Sequence, residues 1–476
     1  MSSLPRSTPS AQGVDACAVL AFVDAVDADP DVEVHSVMIV RRGHVVAEGW
    51  WAPHTAERTR LLYSVSKSFT STALGFAVQE GLVALEDTVV SHLPDLADVA
   101  TDDRTRAITL RDLAMMAAGH DHDMWPDALT VDHAEPVRGF LSNPPTESSG
   151  SWFTYSQPCT YTLGAIIQRR SGMTLTDYLR PRLLDPLGIG RVGWHAYPPG
   201  RQLGFTGFFA RTEDIAKLGL LYLQGGRWDG RQLLPESYVD EATSAQVATP
   251  RQDAVDWQQG YGFQFWVSRH GFRADGAFGQ FSIVLPEHDA VVAITAGTES
   301  TQQLLDHVWA HLLPAFDNVE PGTEAEEKLV RRLAALGLAT PSGRPAAETG
   351  VDAFSGTFPL PKVEREQPGG RLTSVSLGWE EGSLQVTLEE ARNSLTVRAD
   401  HEQWAVSEPA DALGGTVPVA SSYGWTDDGT LEIQVVFLET PHRLTIRCSP
   451  TERSAHQSWN VAPLDSGGLA TLHRPD

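Results

Sequence analysis

Ser64-Val65-Ser66-Lys67 stands just ahead of an apolar helical run, Phe69 to Val83, and its reading decides the fold. Residues at i and i+3 share one face of a helix, so Ser64 Oγ and Lys67 Nζ can converge on one point. A serine nucleophile with a lysine base needs that arrangement. The chain holds only four lysines, Lys67, Lys217, Lys328 and Lys362, which makes a chance S-x-x-K rarer here than in an average sequence. Taken alone, the motif fits a capped helix with a solvated Lys67 equally well.

Two further segments bear on the choice. The first is Gly150-Ser151-Trp152-Phe153-Thr154-Tyr155-Ser156-Gln157, followed by an apolar helix from Tyr161. A small-residue turn and a short strand place the Tyr155 phenol at the mouth of a helix, where it can face another element. The other reading is a half-buried packing tyrosine. The second is Asp275-Gly276-Ala277-Phe278-Gly279-Gln280, leading into a strand over Phe281 to Leu285. Closely spaced glycines there let a substrate approach backbone N–H groups, or simply close a hairpin.

In this order and spacing the three segments resemble the serine β-lactamase and penicillin-binding-protein superfamily. The resemblance is best to its class C β-lactamase, esterase and 6-aminohexanoate-oligomer hydrolase branch, and it covers about Val14 to Leu313. It implies a domain with a central antiparallel sheet flanked by helices, an α-helical region, and a cleft between them. It implies Ser64 as nucleophile, Lys67 as the lysine that helps deprotonate it, and Tyr155 as proton shuttle and base. The backbone N–H groups of Ser64 and Ala277 match the oxyanion hole. Gln157, Asp275, Gly276 and Phe278 fall at substrate-binding positions. Two positions depart from the lactamase pattern. Tyr155-Ser156-Gln157 stands for Tyr-x-Asn, and Ala274-Asp275-Gly276 stands for Lys-Thr-Gly. A neutral alanine and an acidic aspartate would not attract a lactam carboxylate, which fits ester or amide substrates better.

Bulk properties bound the rest. At 476 residues two domains are expected, and the net charge of −25 argues against nucleic acid or an anionic membrane as partner. Cys17, Cys159 and Cys448 are far apart and odd in number, so reduced thiols and a cytoplasmic protein are expected. Met1 to Gly13 has no apolar core of a secretory signal, and no run of about 18 apolar residues predicts a membrane span. His120, His122 and His133, with Asp121 and Asp123, lack the spacing of a metal site, and neither metal nor cofactor is expected. Trp125, Phe153, Phe209 and Trp266 are candidates for an aromatic substrate wall or for core.

Hydrophobic patterning predicts a helix over Val14 to Ala28 and strands over His35 to Arg42 and His44 to Trp51. Thr109-Leu110-Arg111-Asp112 reads as a capping box. Helices are expected over Cys159 to Gly172, Leu175 to Leu184 and Thr212 to Gln224, and strands over Tyr261 to Ser268 and Val291 to Ala296. Asn318 to Glu327 reads as linker and Leu329 to Leu338 as a short helix. The expected division is 1–317 hydrolase domain, 318–350 linker and 351–476 β domain. From about Val351, short strands over Leu372–Leu377, Leu384–Leu388, Leu395–Val397, Trp404–Ser407, Leu431–Leu438, Arg443–Arg447 and Ser458–Val461 recur at roughly ten-residue spacing, the pattern of an antiparallel β-barrel or sandwich. That part resembles the lipocalin-like barrel appended to some superfamily members. It carries no catalytic constellation, and a chain ending near Gly350 is expected to keep the acylation site.

The function expected is a serine hydrolase forming an acyl-Ser64 enzyme from a small ester or amide. The alternatives are a transacylase passing the acyl group to an amine, a β-lactamase, and a catalytically silent binding protein on the same fold.

Overall fold

A computed structural model describes residues 3–316, 323–343, 355–362, 372–380, 383–410, 414–427, 429–464 and 467–475. The N-terminal part is built on strands β1 (Val34–Arg41), β2 (His44–Trp50), β4 (Trp266–Val267), β5 (Phe272–Gly276), β6 (Gln280–Leu285) and β7 (Ala290–Ala296); β3 (Arg60–Leu61) pairs apart from them. They form one antiparallel sheet in the order β2-β1-β7-β6-β5-β4. The β1–β2 turn is the expected Arg42-Gly43 pair, with φ of 48° and 74°, the left-handed pair that a two-residue hairpin requires.

Every residue of β1 is buried, because the sheet is covered on both faces. Val37 and Ile39 lie in the core that includes helix α1 (Ala16–Ala28), and Met38 and Val40 in the core on the other face, which includes helix α2 (Val65–Gln79), following the two-residue period of a strand. Helix α2 is buried almost all round, from Val65 to Ala77, so it runs through the core with Ser64 at its N-cap. Helix α3 (Gln157–Ser171) and helix α4 (Thr212–Leu223) belong to the same core. The Thr109–Asp112 capping box forms, with the Thr109 side chain and the Asp112 backbone N–H bonded reciprocally to the partner groups.

Three expectations need correction. The strand that pairs with β6 across the glycine-rich turn is β5, not Tyr261 to Ser268. Gly260 and Gln264 have φ of 111° and 64°, which breaks that segment and leaves only the two-residue β4. Part of the expected linker is helix α5 (Thr323–Ala334), whose Leu329 packs with α1. The C-terminal part also holds two strands that were not expected, Gly356–Pro359 and Val419–Trp425.

The C-terminal strands form a nearly closed, barrel-shaped sheet, with the first and last strands, Gly356–Pro359 and Ser454–Trp459, approaching each other. Neighbours are antiparallel except where Asp400 and His401 run parallel to Ser422 and Tyr423. Val386, Val397, Ile433 and Ile446 fill its interior. Its turn at residues 438–442 docks on β3, directly ahead of Ser64. The Leu61 N–H donates to Glu439 O at 2.7 Å, and the buried Arg60 donates to Thr440 O at 2.8 Å. Truncation near Gly350 would therefore uncover the chain that leads into the S-x-x-K.

Candidate active site

Ser64 sits where β3 turns into α2. Tyr63, the residue before it, holds a left-handed φ of 46°, uncommon for a residue with a side chain. The turn brings Ser64 to the start of α2, so Lys67, one turn on, lies beneath it. Lys67 is 1% exposed and its Nζ donates to three acceptors: Ser64 Oγ at 2.9 Å, Gln157 Oε1 at 2.7 Å and Phe205 O at 2.9 Å. Burial lowers the Lys67 pKa to about 7, although Asp123 and Asp275 in the surroundings favour the charged form.

The acceptor set orients the amine. An ammonium has three donors and a neutral amine has two. The oxygens of Gln157 and Phe205 can only accept, whereas a hydroxyl can donate. When Lys67 loses its proton, its two remaining N–H bonds stay with Gln157 and Phe205. The lone pair is then left facing Ser64 Oγ, the direction in which a base must point. Gln157 is itself placed by Asp123, whose Oδ1 accepts the Gln157 backbone N–H at 2.8 Å at the start of α3.

Tyr155 comes from the loop before α3. Its ring lies 4.7 Å from Lys67 Nζ, and burial raises its pKa, against contact with the Ser64 side chain that favours ionisation. The phenol is therefore neutral in the resting site. Trp266 stacks on it with ring centroids 5.8 Å apart, and Phe153 and Tyr261 complete an aromatic wall.

The third segment closes the other side. Gly276 ends β5 against the nucleophile turn, where a Cβ would lie 2.3 Å from Leu62 O and 3.2 Å from Val65 N. The carbonyls of Ala277 and Phe278 face the buried Gln280 amide at 3.3 Å each. Among the described residues, no backbone acceptor is found for the N–H of Ser64 or of Ala277. Phe278 has a left-handed φ of 67°. Asp275 accepts from the fully buried Arg273 Nε at 2.8 Å, and burial raises its pKa against that pairing.

The three segments that carry Ser64 and Lys67, Tyr155 and Gln157, and Asp275, Gly276, Ala277 and Phe278 thus meet at the start of α2. Sequence reasoning did not find Phe205 or the placement of Gln157 by Asp123, which depend on contacts far apart in the chain, nor Arg273, whose partner Asp275 is two residues away. It expected Gln157 to face substrate, but its carbonyl oxygen is taken by Lys67. Phe153 and Trp266 join the wall, whereas Trp125 packs on Tyr161 and Phe205, and Phe209 packs with Tyr63 behind the site. The histidine-rich loop is used otherwise: His120 Nε2 bonds Asn143 O at 2.9 Å and His122 pairs with Asp121 and Asp127. Among the described residues, no group of three His, Cys, Asp or Glu side chains could hold a metal ion. Among the same residues, no helix is long and apolar enough to cross a membrane. Cys17, Cys159 and Cys448 are all unpaired thiols.

A family model described as Beta-lactamase matches residues 21–315. The chain is 25% identical over 279 residues to a 6-aminohexanoate-dimer hydrolase of Paenarthrobacter ureafaciens, covering 54% of this chain and 70% of that one. Among solved structures, SurE with D-Leu superposes with a TM-score of 0.52 at 19% identity, over 90% of this chain and 98% of its own. EstCE1, described as a hydrolase with promiscuous acyltransferase activity, superposes with a TM-score of 0.52 at 18% identity, over 62% of this chain and 99% of its own. The first of these two structures spans both parts of the chain, so it extends the likeness in fold to the C-terminal sheet.

Proposed function

This chain belongs to the beta-lactamase family, and we propose that it is a serine hydrolase that forms an acyl-Ser64 enzyme from a small neutral ester or amide. The observation that carries this reading is the buried Lys67, held by Gln157 and Phe205 so that its lone pair faces Ser64 Oγ. With a pKa of about 7, Lys67 is substantially neutral at working pH and can take the hydroxyl proton. Ser64 Oγ then attacks the substrate carbonyl carbon. The oxygen of that carbonyl gains negative charge facing the N–H groups of Ser64 and Ala277, and the N-terminus of α2 favours the same charge. Collapse of the intermediate breaks the bond to the leaving group, which takes a proton from Tyr155. The proton on Lys67 replaces it. Tyr155 serves as relay and acid rather than as the resting base, because its phenol is neutral.

A second reading shares the acyl-enzyme and differs in the acceptor: an amine takes the acyl group in place of water. The paired Arg273 and Asp275 favour it, because an edge without net charge offers an anionic acceptor no partner and admits a neutral amine. A panel of p-nitrophenyl and methyl esters, assayed with and without primary amines, tests both. Ser64-dependent release of the alcohol supports the hydrolase, and amide product in excess over acid supports the transfer. Absence of turnover across the panel, with Ser64 unreactive, would leave a binding protein.

A further inference from the structure

The two backbone N–H groups without acceptors are each next to a residue in the left-handed region. Tyr63 precedes Ser64 with φ 46°, and Phe278 follows Ala277 with φ 67°. Such conformations persist only where the surroundings fix them. The two rings meet edge to face, with centroids 5.3 Å apart. A third ring closes on both, and it comes from the C-terminal sheet. His442 lies 6.0 Å from Tyr63 and 5.8 Å from Phe278 by ring centroids.

His442 is fixed in one tautomer. Its Nδ1 is 2.9 Å from Val461 O, a pure acceptor, so Nδ1 carries the proton. Its Nε2 therefore accepts from the Tyr63 hydroxyl, at 2.7 Å. The residue is 1% exposed, and the turn that carries it is bonded to β3 through Arg60 and Leu61.

We propose that His442 is a positioning residue for acyl transfer: by holding Tyr63 against Phe278, it sets the separation of the Ser64 and Ala277 N–H groups that receive the substrate oxygen. The proposal rests on reading this site as an acyl-transfer site. It makes the C-terminal sheet part of the working enzyme.

The test uses the full chain, with p-nitrophenyl butyrate as substrate and phenylboronic acid as a tetrahedral mimic. His442→Phe keeps a ring but loses both hydrogen bonds, and Tyr63→Phe loses only the hydroxyl. A misplaced oxyanion donor acts on the transition state, so kcat should fall about 10–100-fold in His442→Phe and several-fold in Tyr63→Phe, with KM little changed. Boronate affinity should weaken by a similar factor, and the acid limb of the pH profile, set by Lys67, should stay in place. His442→Gln, whose amide can both accept and donate, should recover most of the loss. If His442→Phe does not fold, Tyr63→Phe decides. Wild-type kcat in folded His442→Phe or Tyr63→Phe, or losses confined to KM, overturn the proposal. Fluorophosphonate labelling of the wild type separates it from the reading beneath it. A label on Ser64 with indifferent variants removes only the role of His442, and no label on Ser64 removes both.

Discussion

Lys67 Nζ stands 2.9 Å from Ser64 Oγ, with Gln157 Oε1 at 2.7 Å and Phe205 O at 2.9 Å taking its other two donors. All three donors of the ammonium are satisfied, and loss of one proton frees only the direction of Ser64. Burial lowers the Lys67 pKa to about 7. The kcat/KM for a neutral ester should therefore rise with pH through a single limb centred near 7. Gln157→Glu would place a carboxylate beside Nζ and stabilise the ammonium, so the limb should move upward by about one unit or more. A limb that stays in place in Gln157→Glu would mean another group governs it.

In the proposed mechanism Lys67 and Tyr155 pass the same proton, so their losses should not multiply. Lys67→Arg keeps a permanent charge in place of the base, and Tyr155→Phe removes the relay. Each should cost about 10²–10⁴-fold in kcat, and the double variant far less than the product. Single-turnover assays with a p-nitrophenyl ester measure this, and full additivity would assign the two residues to separate tasks.

Arg273 and Asp275 neutralise each other at the edge where Ala274-Asp275-Gly276 stands for the Lys-Thr-Gly of the lactamase pattern. Nitrocefin carries a carboxylate and should be turned over with kcat/KM at least about 100-fold below a short-chain p-nitrophenyl ester, since charge-assisted contacts are the strong ones. Asp275→Asn leaves the Arg273 guanidinium uncompensated. It should raise the nitrocefin-to-ester ratio by about tenfold, at some cost in stability from the buried charge. An unchanged ratio would place Asp275 outside substrate selection.

Gly276 is held to glycine by the approach of Leu62 O rather than by its own conformation. The methyl of Gly276→Ala would lie 2.3 Å from that carbonyl, so β5 must move away from the nucleophile turn. A displacement of that order should lower ester kcat/KM by about 10²-fold with circular dichroism unchanged. Full activity would show that the cleft tolerates a wider gap.

The junction between the two parts should be acid-labile. Burial lowers the pKa of His35 and of His442 to about 4, and Arg60 close by opposes their charging. Unfolded, both would titrate near 6.5, as free histidine does. Their neutral burial costs nothing above about pH 6.5, and stability falls as pH drops from there toward 4, because only the unfolded chain binds protons in that window. Glu33 faces His35 and Arg443, and its lowered pKa adds a loss only below the carboxylate range. Denaturant midpoints should fall by several kcal/mol equivalents between pH 6.5 and 4.5, and less in His442→Gln. A flat profile would show that the histidines charge without penalty.

The chain before Leu313 was legible where chemistry is local. Ser64 and Lys67 are one helical turn apart, Thr109 and Asp112 form a box by spacing alone, and the Arg42-Gly43 turn declares itself. What could not be read depends on partners far away in sequence. Gln157 meets Lys67 across ninety residues, and Tyr63 meets His442 across 379. The strand Val419–Trp425 was missed because all seven of its residues are buried. One face lies in the barrel and the other, at Ala420, against Leu338 and Trp404, so the alternation of a half-exposed strand is absent. The first turns of helix α5 read as linker because of their acidic residues, which a helix N-terminus favours as much as a linker does, whereas Leu329 onward was expected to be helical.

Every step of the proposed function depends on Ser64 as covalent nucleophile. Intact-mass analysis after treatment with a fluorophosphonate, followed by peptide mapping, examines that role without an assumed substrate. One adduct per chain is expected on the peptide containing Ser64, formed faster as pH rises through 7 and absent from Ser64→Ala. An adduct that persists in Ser64→Ala, or that maps to another serine, would contradict it.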